Sequence, residues 1–380
     1  MLETGRLLDL AREQTGLREF GDEWFLEPLD WLVDSINQEC KLTPTGQQAI
    51  PGMLVRFLVN RLEVEHWYGL HPEIDDEEVV APVFGLGLPR TGSTALGHIM
   101  SLDPETRVLR KWESDRPCPP PEAATQHTDA RIAISQAAED AFVELVPEVV
   151  DMLPRGVTSP TECAYPLMES FSAGSSFELF IHVPTYARKT LSPGFDMVPA
   201  YRYHKRLLKL LQWRCPPKRW YLRTPVHTFE IDSLSAVYPD ARFVMTHRDP
   251  LKSLPSVCSL IEHHRRAFVD NPEPEYVGTT HEAYWRTALQ RVLAFRDRVG
   301  EERFFDVSHR RQVIDPAEQV RTLYQRLGWH YDEALDDRIR AWQKTHPRGN
   351  HRYSLEAFGL DPAQIERDYR FYTERFSALL

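Results

Sequence analysis

The sequence of 380 residues has few cysteines and no long apolar runs. Its five cysteines are scattered, odd in number and never in a C-x-x-C spacing, which indicates a reducing compartment and no zinc site. No apolar run approaches the ~20 residues that a membrane span needs. The N-terminus has acidic residues in its first turns, as in an amphipathic helix and unlike a signal peptide. We therefore expect a cytoplasmic protein without a transmembrane segment or a bound metal.

Positive charge is in deficit as well. The chain has 45 Lys and Arg against 56 Asp and Glu, which gives a formal net charge of −11. A nucleic-acid-binding protein would need a broad basic face, so we expect no nucleic-acid partner. Any anionic ligand must then be held by a local cluster of cations. Hydrophobic content of 42% and charged content of 27% are ordinary values for a globular protein.

The stretch PVFGLGLPRTGSTAL, residues 82–96, has the pattern of a strand, a loop and a helix. Gly87 and Gly92 fit the phosphate-binding pattern G-x-x-x-x-G-K-[ST], except that Ser93 occupies the Lys position. Arg90 stands at the crown of the loop, where its planar group of donors suits two anionic oxygens. The stretch predicts a phosphate site, although an ordinary strand-to-helix turn uses the same residue types.

A second run, residues 243–260, repeats this theme of a buried strand that ends in polar residues at a helix start. Arg248 stands at the carboxyl end of the strand, where ligands of open α/β sheets bind. Ser256 lies on the helix that follows. The pair is suited to a second phosphate, while an ion pair of Arg248 with Asp249 at the helix start is the structural alternative.

Together these residues resemble the sulfotransferases that use 3′-phosphoadenosine 5′-phosphosulfate (PAPS), and most closely the bacterial branch whose pattern is related to protein-tyrosine sulfotransferases. In that family the loop holds the 5′-phosphosulfate, and an Arg with a Ser eight residues later holds the 3′-phosphate. PAPS would be the donor and PAP the product, without a metal. The matching residues are Pro89, Arg90, Thr91, Gly92, Ser93, Thr94, Arg248 and Ser256.

The resemblance also implies catalytic residues. A Glu shortly after the second strand is the general base in that branch, and here Glu113 has this position. Arg223 replaces the family's Lys at the bridging oxygen, so it can supply charge but cannot donate a proton. Three histidines are alternative bases, namely His98, His227 and His247. We consider His227 the best of them, because it is close in sequence to Arg223.

Further contacts to the nucleotide follow from the same resemblance. His309 has the position of a residue that packs near the adenine. Arg348 and Tyr353 lie in a basic, Gly-containing segment where the family has a loop that closes over the phosphates, and a surface turn explains that segment equally well.

The predicted fold is α/β. Strands that alternate with helices imply a central, mostly parallel sheet, and the resemblance implies about five strands in a three-layer arrangement like that of the P-loop NTPases. We predict one domain over 1–380. Its parts are a helical N-terminal segment at 1–78, a nucleotide-binding core at 79–115 and 218–330, a helical insertion over the acceptor site at 116–217, and C-terminal helices with a closing loop at 331–380.

The predicted function is sulfuryl transfer to a hydroxyl or amine of a small-molecule, lipid or glycolipid acceptor. A P-loop kinase or NTPase is the first alternative, but the loop lacks a Lys, and no acidic residue ends the strand at residues 243–247 to hold Mg²⁺. A nucleotide-binding protein without catalysis is the second. The sequence leaves the acceptor and the oligomeric state open.

Overall fold

The computed structural model describes residues 1–148, 150, 156–346 and 353–380. At its centre lies a five-stranded sheet in the order β2-β3-β1-β4-β5, and every neighbouring pair is parallel. The parallel sheet confirms the predicted fold class. The strands are β1 Val83–Gly87, β2 Thr106–Arg107, β3 Arg219–Arg223, β4 Arg242–His247 and β5 Phe304–Ser308.

The order of the strands creates a crevice beside β1. From β1 the chain passes to β2 and β3 on one side of the sheet, and then to β4 and β5 on the other. β1 therefore pairs with β3 along one edge and with β4 along the other. Open parallel sheets bind ligands outside the carboxyl ends of their strands at such a reversal of strand order. The residues that follow β1, β3 and β4 meet at this point.

Helices cover both faces of the sheet, and a strand that is buried on both faces alternates its side chains between two cores. Phe84 of β1 belongs to the larger core, together with the N-terminal helices and the insertion. Val83 and Val244 belong to a smaller core on the opposite face, together with Leu323 and Tyr324.

The chain before β1 and the segments between the strands are mostly helical. Before the third strand lie the helices Thr4–Thr15, Leu26–Glu39, Pro44–Leu70, Ser93–Met100, Lys111–Asp115, Ala130–Leu145, Ala164–Met168, Gly174–Phe180, Pro184–Thr190 and Val198–Gln212. After it lie Val226–Phe229, Ile231–Val237, Pro250–Phe268, Pro274–Val299, His309–Ile314, Pro316–Leu327, Glu333–Thr345, Pro362–Asp368 and Arg370–Arg375. Short 3-10 helices are Glu23–Phe25, Pro72–Asp76, Glu356–Phe358 and Ser377–Leu379. Across the part of the chain that the structure describes, no helix is both long and apolar enough to cross a membrane.

The second strand is shorter than the sequence pattern of residues 106–112 predicts. It ends at Arg107, and the helix Lys111–Asp115 begins four residues later. The side chain of Glu113 accepts a hydrogen bond from the backbone N–H of Arg110, as the third residue of a helix does in a capping box. This local cap stabilises a helical turn where the apolar residues alone favour a strand.

Candidate active site

A tight loop of residues 88–92, here called the phosphate loop, joins β1 to the helix Ser93–Met100. Two of its residues have left-handed backbone conformations, Arg90 with a φ of 64° and Gly92 with a φ of 88°. Such a conformation costs about 1–3 kcal/mol for a residue with a side chain, so the surrounding structure must hold Arg90 in place. The Thr91 hydroxyl does part of this, because it donates to the carbonyl of Leu88 at 2.7 Å and lies 2.6 Å from the hydroxyl of Thr246.

The phosphate loop also contacts the predicted adenine-side residue. A Cβ built on Gly92 would lie 2.9 Å from Cδ2 of His309, so the absence of a side chain at Gly92 lets His309 approach the loop. Gln312 fixes the same position, since its amide donates to the Gly92 carbonyl at 3.1 Å. His309 is thus next to the phosphate loop, and its contact with the adenine stays a prediction.

Arg90 and Arg248 converge, although they are far apart in the sequence. Arg248 follows β4, and its guanidinium donates to the carbonyl of Arg90 at 2.8 Å and to the hydroxyl of Tyr353 at 3.3 Å. Nε of Arg90 donates to the Ser256 hydroxyl at 3.1 Å. The two predicted phosphate sites therefore form one continuous group of donors.

The electrostatics of this group suit an anion. Burial first, and the positive charge of Arg248 second, lower the pKa of Arg90. An anion bound between the two guanidinium groups would remove this repulsion and would accept charge-assisted hydrogen bonds from both. The residues present therefore fit the phosphates of a nucleotide such as PAPS.

Arg223, at the end of β3, packs against the helix Ser93–Met100. Its guanidinium donates to the hydroxyl of Thr94 at 3.3 Å and to the carboxylate of Glu162 at 2.8 Å. A Cβ on Gly97 would lie only 2.7 Å from Nε of Arg223, so the arginine occupies the space that a side chain there would fill. The arrangement holds a nearly buried cation beside the phosphate loop.

A cavity of about 660 Å³ opens at this group of residues. Its polar end is lined by predicted site residues: Pro89, Arg90, Gly92, Ser93, Thr94, Arg223, Arg248 and His309. Away from them the lining is largely apolar, with side chains such as Ile50, Met53, Phe142, Phe180, Ile261 and Phe268. Thr91 and Ser256 support the polar end through their hydrogen bonds to the loop. Arg348 lies outside the described residues.

Glu162 is a cavity residue that the sequence analysis missed. Its carboxylate accepts from Arg223 at 2.8 Å and from the Thr224 hydroxyl at 3.2 Å, and a third of the side chain is exposed. It lies in the insertion and reaches the site because the backbone N–H of Cys163 donates to the carbonyl of Arg223 at 2.9 Å. No known sequence motif surrounds Glu162. The only sequence signal for it is the run Pro160-Thr161-Glu162, which comes before an apolar helix.

Glu113, the predicted general base, is in a different environment. Its side chain has no exposed surface, and its carboxylate accepts from Arg107 at 2.7 Å and from Arg110 at 2.5 Å. It lines a small separate cavity with residues such as Leu109 and Leu207. Burial opposes ionisation, but the two guanidinium groups outweigh it and lower the pKa of Glu113. Glu113 thus joins two arginines within the fold, and its role as the general base stays a prediction.

The predicted alternative bases are also within the core. His227 is fully buried against Phe84, and its Nδ1 lies 2.9 Å from the Tyr201 hydroxyl. Burial lowers its pKa well below the ordinary value. His247 is bound to Asp306 at 2.8 Å, and His98 stacks on Trp342. The residues that line the cavity include none of these three histidines.

A parallel sheet with a tight, glycine-containing loop at the reversal of its strand order defines an α/β protein of the P-loop type. The model of the family described as "Sulfotransferase family" matches residues 82–333, which is more than half of the chain. The chain therefore belongs to the sulfotransferase family.

Solved structures of similar proteins support this assignment. Sulfotransferase STF9 from Mycobacterium avium superimposes with a TM-score of 0.88 at 28% identity, over 99% of this chain and 97% of that one. Sulfotransferase STF1 from Mycobacterium tuberculosis H37Rv superimposes with a TM-score of 0.84 at 27% identity, over 97% of this chain and 98% of that one. The resemblance thus extends over nearly the whole length of both chains.

A curated relative matches over a shorter segment. It is the omega-hydroxy-beta-dihydromenaquinone-9 sulfotransferase Stf3 of Mycobacterium bovis and of Mycobacterium tuberculosis, which is 29% identical over 131 residues. The match covers 33% of this chain and 32% of the relative. The chain therefore matches about a third of the length of these curated relatives.

Proposed function

We propose that this protein transfers a sulfuryl group from PAPS to a hydroxyl of a largely apolar acceptor, with an amine as the alternative group. The observation that carries the proposal is the convergence of Arg90 and Arg248 at one end of an apolar cavity. Two partly buried guanidinium groups fit a nucleotide with separate phosphate groups, and the apolar remainder of the cavity fits an uncharged body.

The donor would lie along the carboxyl ends of the strands. We assign the phosphosulfate to the phosphate loop and the first turn of the helix Ser93–Met100, because the backbone N–H groups and the dipole of a helix start favour an anion. We assign the 3′-phosphate to Arg248 and Ser256. His309, next to Gly92, would contact the adenine, and Tyr353 would reach the nucleotide through its contact with Arg248.

Residues of this chain would remove the acceptor's proton and stabilise the charge on the leaving group. When bound, PAPS would supply the sulfuryl group: the acceptor oxygen bonds to sulfur while the bond from sulfur to the phosphate oxygen breaks, and its electron pair goes to PAP. Arg90 and Arg223 would stabilise the negative charge that develops there. Glu162 would take the proton of the acceptor hydroxyl, because its carboxylate faces the cavity beside Arg223 and has lone pairs beyond its two hydrogen bonds.

The acceptor would be a lipid-like or other apolar alcohol, and a glycolipid is included. The apolar side chains of the cavity support this choice, and so does the name of the relative Stf3, whose acceptor is a menaquinone derivative. A cytoplasmic location is part of the proposal, and the five cysteines, all of them free thiols, support it.

Two measurements test the donor. Transfer of labelled sulfate from PAPS to long-chain alcohols should be detectable, and PAP should raise the melting temperature of the protein. Stabilisation by ATP with Mg²⁺ but not by PAP would instead favour a kinase or NTPase. Stabilisation by PAP without transfer to any acceptor in a broad screen would favour a nucleotide-binding protein without catalysis.

The role of Glu162 has its own test. Removal of a general base typically lowers the rate about 10²–10⁴-fold, so Glu162→Gln should lower kcat by that factor and leave the affinity for PAP nearly unchanged. Glu139 is the matched control, because it is a second carboxylate that lines the same cavity. A larger loss of kcat in Glu139→Gln than in Glu162→Gln would contradict the assignment.

A further inference from the structure

A chain of largely buried polar side chains ends at the backbone of Arg248. It runs from Arg296 through Asp306 and His247 to Tyr372. Arg296 donates to both oxygens of the Asp306 carboxylate, at 2.8 and 2.7 Å. Nε2 of His247 lies 2.8 Å from the same carboxylate, and Nδ1 of His247 lies 3.1 Å from the Tyr372 hydroxyl. The backbone N–H of Arg248 also faces this hydroxyl, where it favours negative charge on the oxygen.

The protonation states give these hydrogen bonds one direction. Burial opposes ionisation of Asp306, but the hydrogen bonds from Arg296 and His247 lower its pKa, so it is a carboxylate. A carboxylate can only accept, and Nε2 of His247 therefore donates. Burial lowers the pKa of His247, so the ring is neutral and its Nδ1 accepts. The Tyr372 hydroxyl thus donates to Nδ1 and keeps its lone pairs for the N–H of Arg248.

The C-terminal segment holds the ends of β4 and β5 at further points. The ring of Phe376 packs against that of His247, the last residue of β4, with the ring centres 4.2 Å apart. The hydroxyl of Ser308, the last residue of β5, donates to the carbonyl of Leu379 at 2.7 Å. His247 and Ser308 are neighbours in the sheet. The next residue after each of them is one of the proposed nucleotide contacts, so the C-terminal segment supports both.

The position of Arg248 decides what its side chain can bind. Its guanidinium already donates to the carbonyl of Arg90 at 2.8 Å and to the hydroxyl of Tyr353 at 3.3 Å. A charge-assisted hydrogen bond to an anion adds a further requirement on geometry. Because a long side chain loses conformational freedom on binding, a backbone that is already fixed lowers the cost of reaching this geometry.

We propose that Tyr372 is a positioning residue for the donor: its hydroxyl, through His247 and the backbone of Arg248, sets where the Arg248 guanidinium meets the 3′-phosphate. This inference rests on the proposed function, which assigns that phosphate to Arg248. Tyr372 would not touch the nucleotide itself, because it is fully buried and is not among the residues that line the cavity.

The test compares PAP with adenosine 5′-phosphate, which lacks the 3′-phosphate. Calorimetry on the full chain gives the two dissociation constants and their ratio. Tyr372→Phe keeps the ring and removes the hydroxyl, so PAP binding should weaken about 3- to 10-fold, the value of one hydrogen bond. The affinity for adenosine 5′-phosphate should stay at the wild-type value. A merely structural role of the hydroxyl would weaken the binding of both nucleotides equally.

A double variant shows whether Tyr372 acts through Arg248. Arg248→Ala removes the guanidinium that Tyr372 would position, so the addition of Tyr372→Phe should weaken PAP binding no further. Two independent residues would instead show additive losses. Additive losses would overturn the inference.

Tyr369→Phe is the matched control. Tyr369 is equally buried in the C-terminal segment, but its hydroxyl donates to the carbonyl of Glu282 at 2.7 Å, outside the chain of contacts to Arg248. The ratio should therefore keep its wild-type value, and an equal change of the ratio in both tyrosine variants would overturn the inference. No preference of the wild type for PAP over adenosine 5′-phosphate contradicts the proposed function, whereas a preference that Tyr372→Phe leaves intact contradicts this inference alone.

Discussion

Replacement of Glu113 by Gln separates a catalytic role of this residue from a structural one. The substitution keeps the shape of the side chain and removes its charge. Arg107 and Arg110 would then lose their carboxylate, and their side chains are only 10% and 12% exposed. Loss of one partner of a buried ion pair costs about 3–5 kcal/mol. Both arginines keep other hydrogen bonds, to the carbonyl of Cys215 and to Gln126, so we expect the lower end, about 3 kcal/mol.

This free energy corresponds to a measurable change in melting temperature. The entropy of unfolding is about 2.1 cal/mol/K per residue, or about 0.8 kcal/mol/K for this chain, so Glu113→Gln should lower the melting temperature by about 4 °C. The kcat of the folded protein should stay close to that of the wild type. Differential scanning calorimetry and a sulfate-transfer assay below the transition measure the two quantities. Glu13→Gln is the control, because Glu13 forms an exposed ion pair with Arg6, and such pairs contribute little.

The pH dependence gives a second check on the same variant. The pKa of Glu113 is lower in the folded state than in the unfolded state, so its contribution to stability is complete above the unfolded pKa of about 4.3. It is lost as the pH falls through the folded pKa. The difference in stability between wild type and variant should therefore be full at neutral pH and should shrink below about pH 4.3. A loss of kcat of about 100-fold or more at an unchanged melting temperature would refute this reasoning and would support Glu113 as the base.

Three further predictions concern the donor site and the core. Arg248→Ala should weaken PAP binding about 10- to 150-fold, the value of one charge-assisted hydrogen bond, without a change in acceptor binding; calorimetry with PAP measures this, and unchanged PAP affinity would contradict the donor assignment. Gly97→Ala should displace Arg223, whose Nε lies 2.7 Å from the position of the new Cβ, and should lower kcat. Gly69→Ala is the control and should keep full activity, because its Cβ would meet nothing within 4 Å. Equal activities of the two variants would show that Arg223 is not needed in its present position. Burial raises the pKa of Glu169 to about 7, above its unfolded value, so its contribution to stability is present below the unfolded pKa and is lost as the pH rises toward 7; Glu169→Gln should flatten this fall in thermal denaturation curves, and parallel curves for both proteins would contradict the shifted pKa.

The residues that we propose for the donor could be grouped from the sequence because they lie in short local patterns. A phosphate loop requires a strand, small residues and a helix start in direct succession, and residues 83–100 contain all three. Arg248 follows a second buried strand in the same way. Since parallel strands bring their carboxyl ends to one edge of a sheet, the two patterns imply that Arg90 and Arg248 lie close together, as they do.

The proposed base and the proposed acceptor pocket depend on contacts between distant segments. The sequence around Glu113 does not reveal that two arginines, at residues 107 and 110, turn towards the carboxylate and away from the cavity. His227 likewise follows β3 closely, but the helical turn Val226–Phe229 directs its ring into the core. Glu162 arrives from the insertion, through a backbone contact between Cys163 and Arg223. Local patterns cannot encode these orientations, because they result from how separate helices pack.

The sequence by itself thus determined the parallel α/β fold, the phosphate loop and the positions of Arg90 and Arg248 after two strands, since each depends on the spacing of a few neighbouring residues. The tertiary structure alone decided that Glu162 lines the cavity and that His98, His227 and His247 are buried. The physical reason is that burial and hydrogen bonding are properties of packed surfaces. Here these surfaces are formed by helices, some of which are more than a hundred residues apart in the chain.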